Sequence, residues 1–124
     1  MHRENKITVL VLEPEKKPYV KVIDNILKSL QHEVDGYIQA IYPFDDVAVI
    51  CGEESKINNK PLNRSLRDDT GEIYDIIAGT FLVVGLAEEN FGSLSDEQLR
   101  TYSKRFEMPE VFISCNGKIY SLLL

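Results

Sequence analysis

Short apolar runs rich in β-branched residues recur along the chain, and they constrain its fold more than any other feature. They cover residues 7–12, 37–42, 47–51, 80–85, 111–115 and 118–122. Runs of this length and composition predict strands rather than helices. Asn116 and Gly117 separate the last two runs, and this dipeptide between apolar runs is a strong signal for a β-hairpin. The chain is therefore predicted to be built mainly from strands.

Two segments have helical periodicity instead. From Tyr19 onwards, apolar residues at positions 23, 26, 27, 30 and 34 predict an amphipathic helix of three to four turns, ended by Gly36. A second helix is predicted to begin at Ser95, whose side chain can cap it while Gln98 reaches back, and to end at Pro109. Residues 56–67 have little periodicity, and a glycine at position 79 divides the apolar region that follows them.

The resulting order is β-α-β-β-(irregular)-β-α-β-β, in which hairpins outnumber crossovers. This order is typical of an α+β protein with a mixed, mainly antiparallel sheet, and we expect its two helices to cover one face or one end of that sheet. A length of 124 residues fits a single domain spanning residues 1–124.

Charge and composition exclude several classes of partner. A formal net charge of −6 argues against nucleic acid and against an anionic membrane surface. No run approaches the ~20 apolar residues of a membrane helix, and the polar N-terminus lacks the form of a signal peptide. We therefore expect a cytoplasmic protein. Cys51 and Cys115 each end an apolar run, so both are interpreted as free, buried, reduced thiols. The alternative is a disulfide, which would require a close approach of their Cα atoms.

No pattern of catalytic or ligand-binding residues stands out. Gly79 and Gly85 have the wrong spacing for a phosphate-binding loop, and no dinucleotide-binding fingerprint is present. His2 lies near the N-terminus, and His32 lies at the end of the first predicted helix, where a cation is favoured. A zinc site would need ligands from remote positions, with no local pair to begin it. The sequence thus predicts no catalytic residue, no metal site and no cofactor.

Three separated segments resemble a known family. They are residues 33–39, Pro61-Leu62-Asn63-Arg64, and residues 71–81. In order and content they resemble the bacterial and phage domain-of-unknown-function family 3846 (DUF3846), over about residues 7–112. The resemblance implies an accessory protein of a bacterial mobile element such as a phage or plasmid. It implies no catalytic residues.

The segment at residues 58–72 is the candidate binding site. A connection of this length with little periodicity is usually functional or disordered, and apolar residues at intervals favour order. We expect Asn63, Arg64 and Arg67 to point outward there, on one face if the segment is helical. The competing interpretation is a turn-rich loop whose polar side chains bond their own backbone.

The favoured function is a non-enzymatic accessory domain that binds another protein, with the oligomeric state left open. One alternative is a phosphate- or nucleotide-binding, enzyme-like domain that uses Arg64 and Arg67. Another is an acidic mimic of DNA, because four acidic doublets, at positions 45–46, 53–54, 68–69 and 88–89, could imitate spaced phosphates.

Overall fold

A six-stranded antiparallel sheet, which we call the central sheet, dominates the computed structural model, which describes residues 5–123. Its main strands lie in the order β2-β1-β7-β4-β3, and the short β8 pairs with β7. In chain order the elements are β1 (Lys6–Leu12), β2 (Tyr19–Asp24), α1 (Leu27–Val34), β3 (Ile38–Ile41), β4 (Val47–Gly52), β5 (Leu62–Arg67), β6 (Ile73–Ala78), β7 (Phe81–Leu86), β8 (Phe91–Gly92), α2 (Asp96–Arg105), β9 (Glu110–Cys115) and β10 (Lys118–Leu123). The predicted α+β class with mainly antiparallel pairing is confirmed. His2 lies outside the described residues.

The central strands β1, β4 and β7 are buried on both faces. Successive side chains of a strand point to opposite sides, so each strand contributes to two separate apolar clusters. Leu10, Val49 and Phe81 belong to one cluster. Val9 and Ile50 belong to the other. Because both faces are apolar, both faces must be covered.

The two helices cover opposite faces, so the prediction that they share one face or one end is wrong. Leu30 and Val34 of α1 pack in one cluster. Tyr102 and Phe106, at α2 and its C-terminal end, pack in the other, together with the β5–β6 hairpin. A sheet with two apolar faces has no stable arrangement in which one face stays bare.

The first helix is shorter than predicted, because its proposed first turns are strand β2. β2 pairs with β1 over its whole length, from Tyr19 opposite Val11 to Asp24 opposite Lys6. The sequence of this segment fits an exposed edge strand as well as a helical turn, and the ladder with β1 decides between them. The helix begins only at Leu27, after Ile26, which provides no side-chain cap.

The segment predicted to be irregular contains a strand. β5 begins after Pro61 and forms a hairpin with β6, with irregular register between Leu62 and Arg64 and between Leu66 and Arg67. Gly79 ends this hairpin with φ +74, which confirms that a glycine divides the apolar region. The irregular pairing explains why the segment lacks a strand period.

Local signals predicted the start of α2 and the C-terminal hairpin correctly, although α2 ends at Arg105 rather than at Pro109. The Ser95 hydroxyl accepts a hydrogen bond from the Gln98 amide at 3.1 Å, and the Gln98 side chain accepts one from the Ser95 amide at 3.0 Å. The Asn116-Gly117 turn joins β9 to β10, with Cys115 opposite Lys118. Gly85 permits a close backbone approach, since a Cβ there would lie 2.2 Å from the Ser93 carbonyl oxygen.

Candidate functional site

Asn63 and Arg64 are buried rather than displayed on a loop. Both side chains are 0% exposed. They are neighbours in β5 at the register irregularity between Leu62 and Arg64, and their side chains are hydrogen-bonded to each other. The expectation of outward-pointing side chains is therefore wrong for Asn63 and Arg64, which are buried, whereas Arg67 is exposed.

All five N–H groups of the Arg64 guanidinium have acceptors. Nε and one terminal nitrogen donate to the Phe106 carbonyl oxygen at 3.1 and 3.0 Å. The same terminal nitrogen donates to the Lys16 carbonyl oxygen at 2.6 Å. The other terminal nitrogen donates to the side chain and carbonyl of Asn63, at 2.8 and 3.4 Å. Arg64 thus joins β5 to the end of α2 and to the β1–β2 loop.

Asn63 completes this buried network. Its amide nitrogen donates to the carbonyl oxygens of Leu12 and Gly79, both at 2.8 Å. Burial lowers the pKa of Arg64, and the charge of Glu110 opposes that shift. Guanidinium groups are not deprotonated in proteins, so Arg64 stays charged. Since its donors are all occupied, Arg64 has none left for a ligand, and we assign both residues to the scaffold.

Lys60 binds the C-terminal end of α1, as Arg64 binds that of α2. Its ammonium group donates to the Val34 and Asp35 carbonyl oxygens, at 3.1 and 2.6 Å, where α1 ends. Cations are favoured at helix C-termini, where carbonyls lack partners. Lys60 and Arg64 therefore bind the ends of helices on opposite faces of the central sheet. The segment at the start of β5 is a structural junction.

Arg67 is exposed and lines a cleft. The cleft has a volume of about 450 Å³ and lies between the β5–β6 turn, the end of α2 and the base of the C-terminal hairpin. Its lining residues include Arg67, Arg105, Phe106, Met108 and Leu123. Arg105 was not singled out by the sequence, because an arginine in the last turn of a helix is ordinary.

Two of the cleft's carboxylates already have hydrogen-bond donors. Asp68 accepts from the Thr70 amide and hydroxyl at 2.9 and 2.6 Å, and from the Glu72 amide at 3.0 Å. These bonds, led by that of the Thr70 hydroxyl, lower the pKa of Asp68. Glu110 accepts from the Ser65 amide and hydroxyl, at 2.9 and 2.6 Å, and from the Ser121 hydroxyl at 2.5 Å. Both carboxylates thus serve the local structure.

The C-terminal hairpin carries an exposed apolar face. Val111, Ile113, Tyr120 and Leu122 lie on the same side, since Tyr120 is opposite Ile113 and Leu122 is opposite Val111. We call these four residues the hairpin face. The other side of the hairpin carries Glu110, which bonds to β5. Sequence reasoning missed this surface, although β10 carries apolar residues on both of its sides, so neither side is wholly polar.

The two cysteines differ in environment. Cys51 is buried and Cys115 is exposed, and both are free. The expectation of two buried thiols is therefore wrong for Cys115, which lies near the hairpin tip and is exposed. Burial raises the pKa of the Cys51 thiol, which favours its protonated form.

Two of the four acidic doublets lie at opposite ends of β4. The doublet at positions 45–46 precedes β4, and the doublet at 53–54 follows it, so a strand of six residues separates them. Asp46 also accepts hydrogen bonds from Gln98 and Tyr102, which fasten it to α2.

The chain matches the family described as Domain of unknown function (DUF3846) over residues 7–107. It belongs to that family, which confirms the resemblance. No curated protein and no solved structure matches the chain. The match ends before β9, so the hairpin face lies beyond the matched residues. In the part of the chain that the structure describes, no helix combines the length and apolar character needed to cross a membrane.

Proposed function

We propose that this protein is a non-enzymatic accessory domain that binds another protein through the hairpin face. The exposure of that face is the observation that carries the proposal. Ile113 is 46% exposed, Tyr120 52% and Leu122 53%. Contiguous exposed apolar side chains mark interaction sites more often than scattered ones do. A large aromatic residue among them is typical of protein interfaces.

The charge of the hairpin supports the same function. Glu110 and Lys118 are the only charged residues from position 109 to 123, so their formal charges cancel, whereas the whole chain carries −6. Glu110 is buried, and Lys118 is the first residue of β10. The hairpin is therefore the part of an acidic molecule that a partner can approach with little electrostatic cost.

The backbone of β10 offers a second means of attachment. Among the described residues β10 pairs only with β9, so its other edge has free N–H and C=O groups. A partner segment in extended conformation can add to such an edge as a further strand. Natural edge strands are usually protected by charges within the strand. The edge strand β2 carries Lys21 and Asp24, whereas β10 has only Lys118.

We further propose a cytoplasmic location and a role on a bacterial mobile element. Two free thiols favour a reducing compartment. The mobile-element role rests on the family resemblance. Neither feature affects how the hairpin face binds its partner.

The test is capture of host proteins by matched variants. Tyr120→Lys combined with Leu122→Lys introduces two charges on the hairpin face, and we expect it to abolish capture of the partner. Val22→Lys is the control, because Val22 is an apolar strand residue that is 59% exposed elsewhere. It should capture the partner like the natural protein.

Each variant is also melted, since the comparison requires that both remain folded. Equal capture by the hairpin variant and by the control would overturn the proposal. A doubling of mass in solution that only the hairpin variant loses would identify the partner as a second copy of the chain.

A further inference from the structure

We propose that the cleft between Arg67 and Arg105 binds a monocarboxylate that is attached to an apolar body. This site is separate from the hairpin face, because Leu123 in the cleft and Tyr120 on the hairpin face lie on opposite sides of β10. Its volume of about 450 Å³ is within the range of small-molecule sites.

The two arginines have donors available for a ligand. Arg67 uses one terminal nitrogen, which donates to the Gly71 carbonyl oxygen at 2.9 Å. Arg105 lies over the Phe44 ring at 4.8 Å from its centroid. The ion pairs found among residues 5–123 all involve lysines, so neither arginine has a carboxylate within ion-pair distance there. Guanidinium groups bind carboxylates through paired N–H donors.

The two carboxylates near the arginines are already hydrogen-bonded, whereas the arginines have unused donors. Asp68 and Glu110 each accept three hydrogen bonds from protein groups, as described above. The cleft therefore combines two guanidiniums that lack a charged partner with two carboxylates that are already satisfied. An oxyanion is the chemical group that the unused donors fit.

The backbone places Arg67 at the cleft. The pairing of β5 with β6 shifts register between Leu66 and Arg67. Such irregularities change the direction of a side chain and are frequent beside binding sites. Gly71 faces the same cleft with φ +87, and a Cβ there would meet nothing within 4 Å. The turn thus leaves open space beside Arg67.

Apolar residues and charge define the rest of the ligand. Met108 is 44% exposed and Leu123 is 64% exposed, and both line the cleft. They form an apolar wall that fits a hydrocarbon or aromatic body. Asp69 at the rim and the net charge of −6 repel a second negative charge. The site therefore favours a carboxylate over a phosphate dianion.

The experiment uses phenylacetate as the probe, with the neutral phenylacetamide as its matched control. Amide resonances of the ¹⁵N-labelled full chain are followed during titration. We expect saturable shifts around Gly71 and Arg105 with phenylacetate, with a dissociation constant in the millimolar range that is usual for so small a ligand. Phenylacetamide should bind at least tenfold more weakly.

Variants assign the binding to the arginines. Arg67→Gln and Arg105→Gln should each weaken phenylacetate binding at least tenfold, whereas Arg100→Gln should leave it unchanged. Arg100 is an exposed residue of α2, like Arg105, but it does not line the cleft. All three positions are exposed, so a melting curve is expected to show that each variant is folded.

Three outcomes would overturn the proposal. The first is the absence of saturable shifts with phenylacetate. The second is equal weakening by Arg100→Gln, which would indicate unspecific attraction to positive charge. The third is tighter binding of inorganic phosphate than of phenylacetate, which would assign the cleft to another class of ligand.

Discussion

Arg64 is the residue whose substitution we expect to destabilise the fold most. Arg64→Met keeps most of the volume but removes every donor, so the carbonyl oxygens of Phe106 and Lys16 lose their partner. The bonds to the Phe106 carbonyl and to the Asn63 side chain are buried, and a buried acceptor left unsatisfied costs about 1–3 kcal/mol. We therefore expect a loss of about 3 kcal/mol or more in the free energy of unfolding, measured by urea denaturation. Arg67→Met is the control and should change it by less than about 1 kcal/mol, since Arg67 is exposed. Equal losses for the two variants would contradict the scaffold role of Arg64.

The part that Arg64 plays could not be predicted from the sequence. Three of its acceptors are backbone carbonyls, and a backbone carbonyl has the same chemistry at every position. The side chains of Lys16 and Phe106 do not indicate that their backbone carbonyls bond to an arginine. Charge and the neighbouring turn residues suggested exposure, which is the ordinary state of arginine.

Asp46 gives a prediction with a pH dependence. The hydrogen bond from Tyr102, followed by that from Gln98, lowers the pKa of Asp46 from its ordinary 3.8. A carboxylate with a depressed pKa in the folded state stabilises the fold above its unfolded pKa, and this contribution is lost as the pH falls through the folded value. Asp46→Asn should therefore reduce stability at pH 7 by at most about 1 kcal/mol, because the group is exposed to solvent.

The measurement compares urea unfolding of both proteins at neutral and strongly acidic pH. The difference between them should shrink towards zero below the folded pKa of Asp46. Asp45→Asn is the control and should have little effect at either pH, since Asp45 makes no hydrogen bond within residues 5–123. A difference for Asp46→Asn that stays constant across this range would exclude the hydrogen bonds of the carboxylate as its cause.

At the scale of elements, α2 depends on its capping box. Ser95→Ala removes the acceptor for the Gln98 amide and should destabilise the protein by about 1 kcal/mol. Ser95→Asp keeps an acceptor at the same position and should retain most of the stability. Melting temperatures of the two variants beside the natural protein provide the check. A melting temperature that Ser95→Ala leaves unchanged would show that the cap contributes nothing.

The elements that sequence patterns predicted correctly are those fixed by local interactions. The cap of α2 and the Asn116-Gly117 turn involve residues within four positions of one another. β2 was mistaken for helix because its pairing with β1 is decided by a partner elsewhere in the chain. β5 was missed for the same reason, since its pairing with β6 is irregular and therefore leaves no period in the sequence.

At the scale of the whole molecule, the fold divides into a scaffold and an appendage. Helices α1 and α2 and the β5–β6 hairpin cover the two faces of the central sheet, and the polar network of Asn63 and Arg64 fastens them. The C-terminal hairpin adds to this body beside β5 and leaves the apolar side chains of the hairpin face exposed. The sequence could predict the hairpin but not which of its side chains stay exposed, because that depends on where β5 lies.

Hydrogen exchange of the hairpin tests the proposed binding surface most directly. A two-stranded hairpin has little stability of its own, so the amides of β10 should exchange quickly in the free protein. Binding of the captured partner to the hairpin face should slow exchange across residues 118–123, while the amides of the edge strand β2 keep their rates. Slowed exchange in β2 with no change in β10 would contradict the account and place the partner on the other side of the molecule.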